Sequence, residues 1–161
     1  MEINLTRSCY SRDQCMASTL NRMLLFGWEL PQNVVGTLVL VVQAMRGNVI
    51  VISFQQERVF VELRSIGAIS LGLFVFFTCK DNPFVPVGRE NRDHEFGHSF
   101  QSRALGPLYL PVIGTASEAR VVYAFAYRYV TGRRWSGYYD GFPERQADEL
   151  GGADLTLRPS P

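Results

Sequence analysis

The chain has 161 residues, of which 47% are hydrophobic and 19% charged, and its formal net charge is +1. This length and composition fit one folded domain and exclude a disordered chain. The near-neutral balance, with basic residues scattered along the sequence, excludes a nucleic-acid binder that depends on a basic surface. We expect a single domain over residues 1–161, with a loose tail at 153–161.

Cysteine content and apolar runs set expectations for the compartment. The cysteines are Cys9, Cys15 and Cys79. Their odd number favours free thiols in a reducing compartment, although Cys9 and Cys15 are close enough in sequence to pair. No signal-peptide core is seen, and the apolar runs 34–45 and 66–79 are shorter than a spanning helix requires. We therefore expect a cytoplasmic protein, or one that rests on a membrane surface through its aromatic stretch.

The first half of the chain predicts two helices and then a small sheet. A weak helix over 11–26 is followed by a second helix, capped by Asn33, that runs to about residue 46. The β-branched run 49–54 and the alternating run 58–64 form a hairpin around a polar turn. The run 68–78 predicts a further strand, which gives a small antiparallel or mixed sheet of about three strands.

The second half is mainly helical, which places the chain in the α+β class. A helix is expected over 91–105, and one or more helices follow between 108 and 129. A glycine-containing loop then leads to a last short helix that starts near Pro143 and stops at Gly151-Gly152. The predicted fold is a small sheet packed on several helices.

The sequence His94-Glu95-Phe96-Gly97-His98 is an HExxH motif within a predicted helix. Residues four apart lie on one helix face, so the two histidines can bind one tetrahedral zinc ion. Glu95 lies between them and can reach a water on the metal without binding the metal itself. These are the only two histidines of the chain, which argues against a chance spacing. The alternative is an ordinary helix that carries two histidines.

A third zinc ligand must be a carboxylate or a cysteine, because no third histidine exists. The downstream carboxylates are Glu118, Asp140, Glu144, Asp148, Glu149 and Asp154. Glu144 and Asp148 stand out because they are four apart on a predicted helix. Glu144 can then bind the metal while Asp148 accepts a hydrogen bond from a ligand imidazole. The alternative is an acidic first turn that favours the helix dipole. Gly97, which is costly inside a helix, predicts that the Glu144 helix approaches closely.

Together, HExxH and Glu144-Arg-Gln-Ala-Asp148 resemble the gluzincin zinc peptidases, in particular the family of CAAX prenyl endopeptidases and bacterial heat-shock membrane proteases. The strings 94–102, 105–109 and 147–152 also resemble small uncharacterised bacterial HExxH proteins. The resemblance covers about a third of the chain. It implies a zincin-like fold, Glu144 as third ligand, support from Asp148, and a substrate paired with an edge strand, for which 68–78 is the candidate. Since those membrane peptidases have spanning helices, their prenylated substrates do not carry over.

We therefore expect Zn²⁺-dependent hydrolysis of a peptide or protein substrate, with Glu95 as general base. A tyrosine hydroxyl is expected to stabilise the oxyanion. Tyr139 is our working choice from a set that the sequence does not separate: Tyr123, Tyr127, Tyr138 and Tyr139. Two alternatives stay open, namely a non-catalytic zinc-binding scaffold and a membrane-surface interaction module. Neither the oligomeric state nor the substrate is readable from the sequence.

Overall fold

The computed structural model describes residues 23–80 and 91–154. The α+β class is confirmed, but the sheet has four strands rather than about three. Cys9, Cys15 and the end of the predicted tail lie outside the described residues, as does most of the predicted first helix. No helix within the described ranges is long and apolar enough to cross a membrane.

After a helical segment at residues 23–28, the helices and strands follow one another in the order helix, four strands, three helices. Two 3-10 turns and one π-helical turn join the last three helices. The bounds are α1 Leu30–Met45, β1 Val49–Gln55, β2 Arg58–Leu63, β3 Ile69–Leu71, β4 Phe74–Phe77, α2 Asn91–Leu105, a 3-10 turn Gly106–Leu108, a π turn Leu110–Gly114, α3 Thr115–Thr131, a 3-10 turn Ser136–Tyr139 and α4 Glu144–Gly151.

The second helix begins earlier than predicted, and Asn33 is not its cap. Residues 23–28 are helical, and Pro31 lies in the first turn of α1, where a missing N–H costs nothing. The Asn33 side chain is buried instead. It donates from Nδ2 to the Phe26 carbonyl at 3.0 Å and accepts at Oδ1 from the Leu73 N–H at 2.7 Å. Asn33 therefore joins α1 to the sheet, a long-range role that the local capping pattern did not reveal.

The segment 68–78, predicted as one strand, is two strands. Gly72 has a φ of +60°, in the left-handed region, and the chain reverses there between β3 and β4. The strands are ordered β1-β2-β4-β3, with β2 and β4 parallel and the other pairs antiparallel. The first half of the segment is therefore an edge strand, and the second half lies inside the sheet.

Helices cover both faces of this sheet. On one face, α1 packs against a buried cluster made of Val61, Leu63, Leu71, Phe74 and Phe76. On the other face, Phe96 of α2 packs against Phe60, Val75 and Phe77. The motif helix α2 is therefore fixed by the sheet on one side, and it packs along α4 on another.

Candidate metal centre

Helix α2 presents the HExxH residues on a buried surface. Its bounds, Asn91–Leu105, agree with the predicted helix. His94, Glu95 and His98 are only 5%, 8% and 4% exposed. The two imidazole rings lie 4.7 Å apart between centroids at an interplanar angle of 87°. The helical spacing therefore places both rings side by side, as the motif predicts.

Glu144, the first residue of α4, completes the group. Its Oε2 lies 3.0 Å from Nε2 of His94 and 3.4 Å from Nε2 of His98. Glu144 is fully buried, and its other oxygen, Oε1, has no hydrogen-bond partner among the described residues. Leaving such an oxygen unpaired costs free energy, which a cation at this position would recover.

These three side chains could hold a metal ion. One ligand atom from each of His94, His98 and Glu144 lies within 4.8 Å of the others. Two imidazole nitrogens and a carboxylate oxygen suit zinc and other first-row divalent metals, whereas calcium and magnesium prefer oxygen alone. The donor set and the unpaired Oε1 therefore fit a transition metal. The other downstream carboxylates and Cys79 do not join this group within the described residues.

Both imidazoles are oriented through their second ring nitrogen. Nδ1 of His94 lies 2.7 Å from Oδ1 of Asp148, and Nδ1 of His98 lies 2.7 Å from Oε1 of Gln101. Such hydrogen bonds fix the tautomer and leave Nε2 for a metal. The contact with Asp148 is the one that the Glu144–Asp148 spacing led us to expect. Gln101 was missed, although its position three residues after His98 on the same helix was the available signal.

A glycine on each helix lets α2 and α4 approach closely. A Cβ atom at Gly97 would overlap the backbone carbonyl of Ala147, as expected for a close approach of the Glu144 helix. A Cβ atom at Gly151 would likewise overlap the backbone carbonyl of Asp93. Since neither overlap involves a flexible side chain, the short distance between the helices depends on both glycines.

Glu95 lies close to the edge strand β3. Burial raises the pKa of Glu95, and the nearby backbone N–H of Ser70 lowers that pKa in part. The Ser70 carbonyl in turn accepts a hydrogen bond from the Tyr109 hydroxyl at 3.0 Å. Neither Ser70 nor Tyr109 is predictable from the sequence, because their contacts with the motif arise from tertiary packing and leave no local pattern. The surroundings of Glu95 therefore come in part from outside its own helix.

A cavity of about 130 Å³ opens beside these groups. Its walls come from β3, from the π turn and from α3, and they include the hydroxyl-bearing Tyr109 and Tyr138. Tyr139, the working choice for an oxyanion donor, instead lies with its ring edge-on to His94 at 5.1 Å between centroids. Tyr123 contacts Trp135 rather than the histidines. The cavity thus places two tyrosine hydroxyls and one edge strand next to the ligand residues.

Burial and hydrogen bonding act in opposite directions on the ionisable groups. Burial alone would lower the pKa of His94, but hydrogen bonds with Asp148 and Glu144 raise that pKa to about 9. Burial would raise the pKa of Glu144, but its hydrogen bonds with both histidines outweigh burial and hold the pKa well below its usual range. Burial raises the pKa of Glu95, which the positive charge of His98 and His94 lowers only in part. Glu144 is therefore the anion of the site, and Glu95 is the carboxyl group more ready to hold a proton.

Comparison with known proteins identifies no relative. No protein-family model, curated protein or solved structure matches the chain. The resemblance to zinc peptidases therefore rests on the residues of the HExxH motif and on the Glu144–Asp148 pair alone. The geometry shows that the chain buries a His-His-Glu group that could hold a metal ion.

Proposed function

We propose that this protein is a zinc-dependent peptidase in which His94, His98 and Glu144 hold the metal and Glu95 is the general base. The observation that carries this proposal is that Glu95 lies buried in the same cavity as the three ligand residues but outside their group. A structural zinc site is usually closed by four protein ligands and has no use for such a carboxyl group. Three ligands beside an open cavity are typical of a catalytic site.

Zinc, when bound, would lower the pKa of a coordinated water towards about 7 and polarise the scissile carbonyl. Glu95 would accept the proton of the attacking water and return it to the leaving amine. Its raised pKa suits it to both steps, because the protonated form is within reach. The nearby N–H of Ser70 favours the ionised form of Glu95, which is the form that accepts the proton.

The oxyanion would be stabilised by a neutral hydrogen-bond donor in the cavity. Burial raises the pKa of the Tyr109 hydroxyl and of the Tyr138 hydroxyl, so both stay protonated at neutral pH. Both line the cavity, but the Tyr109 hydroxyl already donates its one proton to the Ser70 carbonyl, so Tyr138 is the better candidate. The role of Tyr139 as an oxyanion donor stays a prediction. Strand β3, at the sheet edge and on the cavity wall, is our candidate for pairing with an extended peptide.

The decisive experiment compares Glu95→Gln with His98→Ala and with the unchanged protein, using casein as an unstructured substrate. We expect Glu95→Gln to retain about one zinc per chain and to lose cleavage by 10²–10⁴-fold, because an amide cannot accept the proton. His98→Ala should lose both zinc and cleavage. Zinc content is measured by elemental analysis of protein purified without a chelator.

Two outcomes would contradict the proposal. Equal cleavage by the unchanged protein and by Glu95→Gln would assign the cleavage to a contaminant or to another chemistry. Absence of zinc, with no uptake when zinc is added, would remove the metal centre itself. Glu149→Gln, which changes an exposed carboxylate of α4 in the same way, is the matched control and should keep both zinc and cleavage.

A further inference from the structure

Glu118 adds a third carboxylate to the cavity, at its exposed side. It lies on α3 beside Ser117 and near Val121, and all three residues line the cavity. Glu118 is exposed, whereas the two other cavity carboxylates, Glu95 and Glu144, are buried. No lysine or arginine is among the described residues that line this cavity. Its formal charge is therefore negative.

The helix dipole does not explain this carboxylate. Acidic residues are common in the first turn of a helix because free N–H groups there favour negative charge. Helix α3, however, continues directly from the π turn through Gly114, whose φ of −57° and ψ of −48° are helical. The N–H of Thr115 already donates to the Leu110 carbonyl. The start of α3 is thus hydrogen-bonded, and it gains little from Glu118.

The charge of Glu118 is not used within the described part of the chain. No hydrogen bond or ion pair joins its carboxylate to another described residue. With Glu95 ionised, as its role as general base requires, a divalent metal would balance the charges of Glu144 and Glu95, so the charge of Glu118 is the one left over. A substrate that enters the cavity would therefore meet one unpaired negative charge at the mouth.

We propose that Glu118 is a specificity-determining residue, which selects substrates that carry an ammonium or guanidinium group beside the cleaved bond. This inference rests on the proposed function. The cavity volume of about 130 Å³ is well below the roughly 300–1,000 Å³ of small-molecule pockets. We therefore place the charged group of the substrate at the mouth of the cavity and not inside it. Leu110 and Val121 line the cavity as well and offer an apolar surface to the aliphatic part of a lysine or arginine.

The test uses synthetic peptides based on the best-cleaved site in casein. The residue on either side of that bond is replaced in turn by lysine, by uncharged norleucine or by glutamate. For the unchanged protein we expect kcat/KM to fall from lysine to norleucine to glutamate, by about three- to tenfold per step, and less in high salt. Glu118→Gln should remove this order, and Glu118→Lys should reverse it. Glu149→Lys, the same change at an exposed position outside the cavity, should keep the original order.

A second arm identifies the source of the cation. Each peptide is made with a free and with an acetylated amino terminus. The order of lysine, norleucine and glutamate at a fixed terminus reports on a basic side chain, whereas faster cleavage of the free than of the acetylated form of one peptide reports on the terminal ammonium group.

The outcomes separate this inference from the proposed function. Cleavage that requires Glu95 but ignores substrate charge would overturn only the role of Glu118. If no peptide is cleaved, binding of the same peptides to the zinc-loaded protein, measured by fluorescence anisotropy, decides. Binding that is strongest for the lysine peptide, and that reverses this order in Glu118→Lys, would support the role of Glu118. The absence of cleavage would then count only against the proposed hydrolysis. Equal binding of all peptides, or binding of none, overturns it.

Discussion

At the residue scale, Gln101 shows how one amide fixes the protonation of a ligand. Its Nε2 donates to the Pro143 carbonyl at 3.0 Å and to Oε1 of Gln146 at 2.9 Å. Its Oε1 is therefore the atom that faces Nδ1 of His98. Because this oxygen can only accept, His98 carries a proton on Nδ1, and Nε2, which faces Glu144, is the nitrogen that could bind a metal.

Replacing Gln101 by leucine should weaken metal binding by about 10–100-fold without removing any ligand, because Nδ1–H of His98 would lose its acceptor. Competition with a chelator of known affinity measures the change. Gln55→Leu is the control, since Gln55 is exposed on β1 and its side chain accepts a hydrogen bond from Arg92, away from the histidines. Equal zinc affinity in Gln101→Leu and in the unchanged protein would contradict this positioning role.

Four of the site residues could be predicted from the sequence because they form pairs that are spaced four apart on a helix. His94 and His98, like Glu144 and Asp148, are four apart on a helix, so local geometry alone puts each pair on one face. Ser70 and Tyr109 follow no such pattern. They reach the motif only because β3 and the segment after α2 fold onto one cavity, and no spacing in the chain encodes that contact.

At the element scale, the sheet shows that hydrophobic periodicity does not determine the number of strands in an apolar run. The run 68–78 is apolar, which fits either one buried strand or two short ones. Its reversal depends on the left-handed conformation of Gly72, and a Cβ atom there would overlap the Asn33 side chain. The turn at Gly72 therefore depends on the packing of α1 against the sheet, which the local sequence does not reveal. The ends of α2 and α4 were predictable because local glycines terminate both helices.

The packing of α2 against α4 gives a direct test through Gly97. Gly97→Ala should lower the free energy of unfolding by about 1–3 kcal/mol or more, because its Cβ would overlap the Ala147 carbonyl and must push α4 away. The same displacement should reduce zinc binding. Thermal unfolding and zinc content measure both effects.

Gly27→Ala is the matched control for this change. Gly27 is helical, and no atom lies within 4 Å of a Cβ placed there. It should unfold at the same temperature as the unchanged protein or slightly above it. If Gly97→Ala behaves like Gly27→Ala, the close approach of α2 and α4 is not required.

At the scale of the whole molecule, pH should control stability through His94. Its pKa is raised from 6.5 to about 9, so its hydrogen bonds with Asp148 and Glu144 stabilise the fold fully below pH 6.5. That contribution, at most about 3 kcal/mol, is lost as the pH rises through 9. A metal bound by His94 and Glu144 would replace this proton and keep the carboxylates neutralised at high pH.

We therefore expect a chelator to lower the melting temperature by more at pH 9.5 than at pH 6.5. Calorimetry with EDTA and with zinc across this range measures the difference. Asp148→Asn, which removes the charged carboxylate partner of His94 Nδ1, should reduce the pH dependence of the chelated protein. A chelator effect of the same size at both pH values would contradict this coupling.

The contact between Glu144 and His98 spans 46 positions of the chain. A metal held by them would act as a cross-link that closes a loop of this length, and such closure restricts the unfolded chain more than a short loop would. The π turn and α3 lie inside the loop, and both supply walls of the cavity. A metal bound there would therefore also favour the arrangement of the cavity walls that lie within the loop.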